Sequence, residues 1–134
     1  MSETPSYRLH HIHVICSDLA ASERWFVEGI GAELVEHRES RGTATSELKL
    51  GEIRVLLRSR RDHETLADGG QRKFGIDHFG LQVQDVDATV ELLRRRGVEI
   101  AREPDNSPRN RVAFVQGPDE LVIELTQPRA ASSE

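Results

Sequence analysis

The feature that most constrains this chain is that its sequence is written twice. Residues 11–18 read HIHVICSD and residues 78–85 read HFGLQVQD, so a histidine precedes an aspartate by the same interval in each. The two copies stand 67 residues apart, at His11 and His78 and again at Asp18 and Asp85. Each aspartate opens a helix-like stretch ending at glycine, DLAASERWFVEGIG up to Gly31 and DVDATVELLRRRG up to Gly97. Each copy then closes with two strand-like runs joined by a turn: SELKL, GE, IRVLL in the first and RVAFV, QGPDE, LVIEL in the second. A duplication of this kind means that one supersecondary unit occurs twice and that the fold must accommodate both copies.

Periodicity gives the coarse structure of the unit. Ile12 and Val14 alternate with His11 and His13, and Phe79, Leu81 and Val83 alternate with His78, Gly80 and Gln82. Such alternation predicts strands with one apolar and one polar face. Asp18 and Asp85 stand where an N-cap carboxylate takes up free helix N–H groups, and Gly31 and Gly97 where a left-handed C-terminal residue is wanted. Leu19, Phe26 and Ile30 in one helix, and Val86, Val90 and Leu93 in the other, can cover the apolar strand faces. The polar faces must look elsewhere.

At 134 residues the chain is the size of one domain. The reading is a single domain over 1–134, with module one at 8–58, a charged, glycine-containing linker at 59–75, module two at 76–127, and frayed tails at 1–7 and 128–134. Gly69-Gly70 is read as a turn signal only. The net charge of -5 argues against nucleic acid as a partner, which needs a basic face. A single cysteine, Cys16, excludes an internal disulfide and a cysteine-rich zinc site, and fits a reducing cytoplasm. No apolar run approaches a membrane span, so no membrane partner is expected.

The polar strand faces carry the chemistry. His11 and His78 hold equivalent positions, and Glu124 lies between the apolar residues Ile123 and Leu125. With those two facing a helix, Glu124 faces the histidines' side. Two imidazoles and a carboxylate suit a divalent ion, Fe, Ni, Co, Mn or Zn, with positions left open for substrate. The alternative is a Glu124–arginine pair without metal, since a carboxylate among apolar neighbours wants a cation of some kind.

In LHHIHVICSDLAASERWF, IDHFGLQVQDVDATVELLRRRGVEI and RVAFVQGPDELVIELTQP, spanning residues 9–127, the sequence resembles the vicinal oxygen chelate superfamily of glyoxalases, epimerases, extradiol dioxygenases and bleomycin-resistance proteins. The resemblance implies an α+β fold of two βαβββ modules, forming a curled mixed sheet around a metal-binding cup. It also implies a homodimer. Family ligand positions fall on His11, Leu56, His78 and Glu124. Leucine cannot bind a metal, so Leu56 is a departure from the lyase and epimerase relatives. The remaining His, His, Glu set looks like that of the dioxygenases. Those use a tyrosine in the second module, whereas the only tyrosine here is Tyr7 in the N-terminal tail.

Within such a cup, strand alternation places Arg54 and Arg58 beside Leu56, where they would bind a carboxylate or phosphate on the substrate. Arg109 and Arg111 would close over the mouth. Glu47 and His13 are the candidate catalytic bases. His10 and His63 are read as exposed and inert, and Cys16 as a small structural residue. The expected function is metal-dependent lyase or isomerase chemistry on a small oxygenated, possibly anionic molecule. The alternatives are an Fe(II)-dependent extradiol-type dioxygenase and a non-catalytic drug- or metabolite-binding protein.

Overall fold

The structure is a computed structural model that describes residues 4–67 and 74–130. The Gly69-Gly70 turn, the middle of the linker and the outermost tail residues lie outside them.

Each copy of the repeat forms the expected unit. The first comprises β1 (His11–Cys16), α1 (Leu19–Arg24), β2 (Glu33–Ser40), β3 (Thr43–Leu50) and β4 (Ile53–Ser59). The second comprises β5 (Phe79–Gln82), α2 (Val86–Arg95), β6 (Glu99–Asn106), β7 (Asn110–Gln116) and β8 (Val122–Pro128). The strands make two four-stranded mixed sheets, ordered β1-β4-β3-β2 and β5-β8-β7-β6. In both, the first strand runs parallel to the last and the others pair antiparallel. β1 and β5 therefore each end a sheet, with one edge unpaired among the described residues.

The two helices differ in a way the sequence anticipates. DLAASERWFVEGIG is one residue longer than DVDATVELLRRRG, and α1 gives way at Trp25–Gly29 to a wide π-type turn. Such a turn accommodates a surplus residue without moving either end of the helix. The caps are as expected: Asp18 accepts from the Ala21 N–H at 3.0 Å and Asp85 from the Ala88 N–H at 2.9 Å. Gly31 and Gly97 both take positive φ.

One apolar core joins the units. Phe26, Leu48, Val55 and Leu57 of the first and Val86, Val90, Val115 and Ile123 of the second are fully buried in a single cluster. The helix-bearing sides of both sheets feed this cluster. Trp25 seals it from the first module against Gly117, in the turn before β8.

The linker begins later and more firmly than the sequence suggests. β4 runs to Ser59, and residues 60–64 fold back, with the Arg60 guanidinium donating to the carbonyls of Arg61, Asp62 and Glu64.

Candidate metal and substrate site

On the second sheet, alternation places the side chains as expected. Ile123 and Leu125 are buried under α2, and Glu124 stands on the opposite face, half-buried, in register with Gly80 on β5 and Phe114 on β7. His78, the residue before β5, brings Nε2 to 2.9 Å from Glu124 Oε1 and Nδ1 to 2.8 Å from Asp77 Oδ2. Its ring meets Phe114 edge-on at 5.2 Å. Hydrogen bonds donated by the ring to Asp77 first and then to Glu124 raise the His78 pKa above its ordinary value. Asp77 thus fixes the imidazole's orientation, the role an outer carboxylate plays behind a metal-binding histidine.

The first sheet presents the other half. β1 aligns His11 with Arg54, His13 with Leu56 and Ile15 with Arg58 on β4. Leu56 faces His13 as Glu124 faces Gly80, which fixes their equivalence across the repeat. His11 Nδ1 lies 2.8 Å from His10 Nδ1, so His10, exposed as expected, is nonetheless a direct neighbour of the candidate ligand. Alternation carries no signal for it, because it precedes the strand.

The structure joins His78 to Glu124 and sets His11 apart from them on the other sheet. Among the described residues no three His, Cys, Asp or Glu side chains form a group that could hold a metal within one chain. The donor chemistry still suits a divalent ion: an imidazole and a carboxylate share one face of the second sheet. A third donor, exposed on the equivalent face of the first, lacks only juxtaposition.

The candidate substrate and catalytic residues divide. Arg54 is half-exposed and pairs through Nε with Glu47 Oε2 at 3.1 Å, beside a depression of about 440 Å³ that His10 and Lys49 also line. Arg58 is not free for substrate: buried, it donates twice to Glu64, each at 2.8 Å. Those bonds hold the Glu64 carboxyl down at a pKa of about 2. Arg111 does not close over a cup. Sharing the side of Ala113 and Val115, it bonds Asp87 of α2 at 2.6 and 2.9 Å. Arg109 is exposed in the turn before β7.

Glu47 faces as expected, but Arg38 at 2.5 Å and Arg54 hold it as an anion, with the Arg38 bond the largest cause of its lowered pKa. A carboxylate so held is a weak base. His13 is lowered by burial first and by Arg58 and His11 next, which keeps its imidazole neutral around pH 7. Burial raises the Cys16 thiol, consistent with a structural role. Tyr7, at 85% exposure, stands before β1, in the first module and not the second. Among the described residues no helix is long and apolar enough to cross a membrane.

Comparison with known proteins agrees with this architecture. The Bacillus subtilis (strain 168) protein YwkD is 31% identical over 127 residues, covering 87% of this chain and 94% of that protein. An Arabidopsis thaliana protein named "Probable lactoylglutathione lyase, chloroplastic" is 38% identical over 55 residues, which is 40% of this chain and 16% of that one. Among solved structures, TnmS3, an antibiotic binding protein from Streptomyces sp. CB03234, superposes with a TM-score of 0.75 at 25% identity, covering 95% of this chain and 100% of that one. A glyoxylase/bleomycin resistance protein/dioxygenase domain from Frankia sp. EAN1pec gives 0.76 at 18% identity, over 93% and 100%. The family model matches residues 8–125. With its duplicated unit, paired sheets and a match over nearly its whole length, the chain belongs to the Glyoxalase/Bleomycin resistance protein/Dioxygenase superfamily.

Proposed function

We propose that the protein is a divalent-metal-dependent enzyme of lyase or isomerase type. It acts on a small oxygenated, anionic substrate, as a homodimer whose reaction centres are shared. In this reading His78 and Glu124 of one copy and His11 of a second copy hold the ion. The observation that carries it is a repeated apolar flank. Tyr7 and Leu9 before β1 are 85% and 69% exposed, and Phe74 and Ile76, at the corresponding places before β5, are 108% and 93% exposed. Large apolar side chains so exposed, beside two unpaired strand edges, call for a protein partner. A two-fold dimer setting β1 of one copy near β5 of the other covers both flanks at once and brings the two half-sites face to face.

A bound ion with open positions would supply Lewis-acid stabilisation of negative charge developing on the substrate. The chain's own residues supply the rest. Asp77 holds His78 with Nε2 presented beside Glu124. Arg54, in register with His11 and paired through Nε alone among the described residues, offers its terminal nitrogens to a substrate carboxylate or phosphate. His13, kept neutral, takes up the substrate proton. Glu47 anchors Arg38 and Arg54.

The test is complementation. His11→Ala and His78→Ala proteins, each unable to bind Ni or Zn, are mixed, dissociated and reassociated. Shared sites return about a quarter of wild-type metal binding, because half the dimers are mixed and each mixed dimer keeps one intact site. No recovery places the ligands within one chain and overturns the shared site. A wild-type protein that takes up no metal overturns the enzyme reading.

That last outcome favours a second reading, a metal-free binding protein for an antibiotic-like or metabolic ligand. Its support is the likeness to TnmS3 and the direct His78–Glu124 bond, which satisfies both groups without an ion.

A further inference from the structure

Beyond His11, the polar face of the first sheet continues as a row of cations. His11 on β1, Arg54 on β4 and Lys49 on β3 stand at one level of the ladder, each in register with the next. Residues opposite one another on neighbouring strands project to the same face, about 5 Å apart per strand, so the row leads outward from the candidate ligand. It ends in the depression of about 440 Å³ described above, which Arg8 also lines.

The donors along this row are unused. Arg54 gives only its Nε to Glu47, and its two terminal nitrogens meet no acceptor among the described residues. Lys49 is exposed and aligned with Glu33 on β2, yet it makes no ion pair with Glu33 or with any other described carboxylate. Arg8 is exposed and equally unpaired. Two carboxylates line the depression. Glu47 is already held between Arg38 and Arg54, and Glu52 is exposed in the turn between β3 and β4.

We propose that this depression binds a phosphate monoester and that Lys49 selects it over a carboxylate. A carboxylate has two oxygens, and the fork of one guanidinium satisfies both. A phosphate monoester presents three terminal oxygens and close to two negative charges, so it engages the Arg54 fork and the Lys49 ammonium together. The row also sets its place: one to two strand spacings from His11, about 5–10 Å, which leaves room for about three carbons between the phosphate and oxygens directed at an ion. The substrate class is then a short phosphorylated hydroxy or oxo compound. The inference rests on the proposed site in taking Arg54 as a substrate anchor, but the hold on the phosphate needs no ion.

The experiment is calorimetric titration of the chelator-treated full chain with glycerol 3-phosphate and with glycerate, at about pH 8, where the ester is a dianion. Glycerol 3-phosphate is expected to bind saturably, one per chain, and at least about tenfold more tightly than glycerate. Lys49→Gln is expected to weaken the phosphate about tenfold and to leave glycerate within about twofold, while Arg54→Gln weakens both. Arg95→Gln, which removes the same charge from an exposed position on α2, is expected to change neither. Circular dichroism checks each fold. Absence of saturable phosphate binding, equal affinity for the two anions, a Lys49→Gln loss that glycerate shares, or an equal loss in Arg95→Gln would each overturn the proposal. Phosphate binding by a protein that takes up no metal would sink the enzyme reading alone, and metal uptake without phosphate binding would sink this inference alone.

Discussion

The Arg58 guanidinium and the Glu64 carboxylate face each other through two hydrogen bonds of 2.8 Å, and through them the start of the linker is tied to the polar face of the first sheet. Arg61 N–H adds a third bond to the same carboxylate at 2.7 Å. Glu64→Gln removes the charge opposite a buried guanidinium and is expected to lower Tm at pH 7. The sign with pH follows from the depressed carboxyl: its folded pKa of about 2 lies below the ordinary 4.5. The stabilisation is therefore complete above pH 4.5 and disappears as pH falls through about 2. Melting curves of wild type and variant should converge there, and a gap that persists at pH 2 would count against the ion pair.

Trp25 against Gly117 makes a second prediction. Gly117 has φ of -99°, which any residue adopts, so alanine there meets packing rather than backbone strain. The added methyl stands 3.1 Å from the indole and 3.3 Å from the Leu121 carbonyl. Gly117→Ala is expected to cost about 1–3 kcal/mol by overpacking. Trp25→Ala, which opens the same contact, should cost about 3 kcal/mol. Denaturant melts of the two variants measure both. In the double variant the costs should be less than additive, because the methyl then has room.

The N-caps are equivalent, and their loss should be too. Asp18→Ala and Asp85→Ala each free one helix N–H, at about 1 kcal/mol apiece. Chemical denaturation of the single and double variants gives the values. Since the caps sit on separate helices, additivity is expected.

Self-association should respond to the flanking residues. Leu9→Asp with Ile76→Asp is expected to shift the sedimentation profile from dimer to monomer, with the monomer retaining the circular dichroism of the folded chain. A dimer unaffected by both changes would place the interface elsewhere.

Much of this arrangement is legible in the sequence where alternation is strict. Ile123 and Leu125 fix the side on which Glu124 stands, and Val55 and Leu57 do the same for Arg54, Leu56 and Arg58. Two kinds of information are not periodic. Glu64 claims Arg58 from a segment, RRDHE, whose fold-back rests on guanidinium–carbonyl bonds that leave no pattern. Arg111 follows a turn, and its side is set by Ala113 and Val115 further along, so a reading from the turn outward misplaces it. β2 and β6, which end the sheets opposite β1 and β5, carry polar sequences such as ELVEHRES and EIAREPDN, with Pro104 and register shifts in the pairing, and lack the apolar stripe that marks a buried strand. Each module makes its own sheet, so whether His11 and His78 meet within one chain is a matter of how the modules dock, which neither copy of the repeat encodes alone.

The π-type turn at Trp25–Gly29 shows where the unit tolerates a change in length. One residue gained inside a strand would have turned every later side chain to the opposite face, carrying ligands into the core and leucines into water. Gained inside the helix, it swells a single coil, and the chain re-enters β2 in phase. The two halves have thus drifted apart in length there, within a segment where drift leaves the chemistry of the sheets untouched.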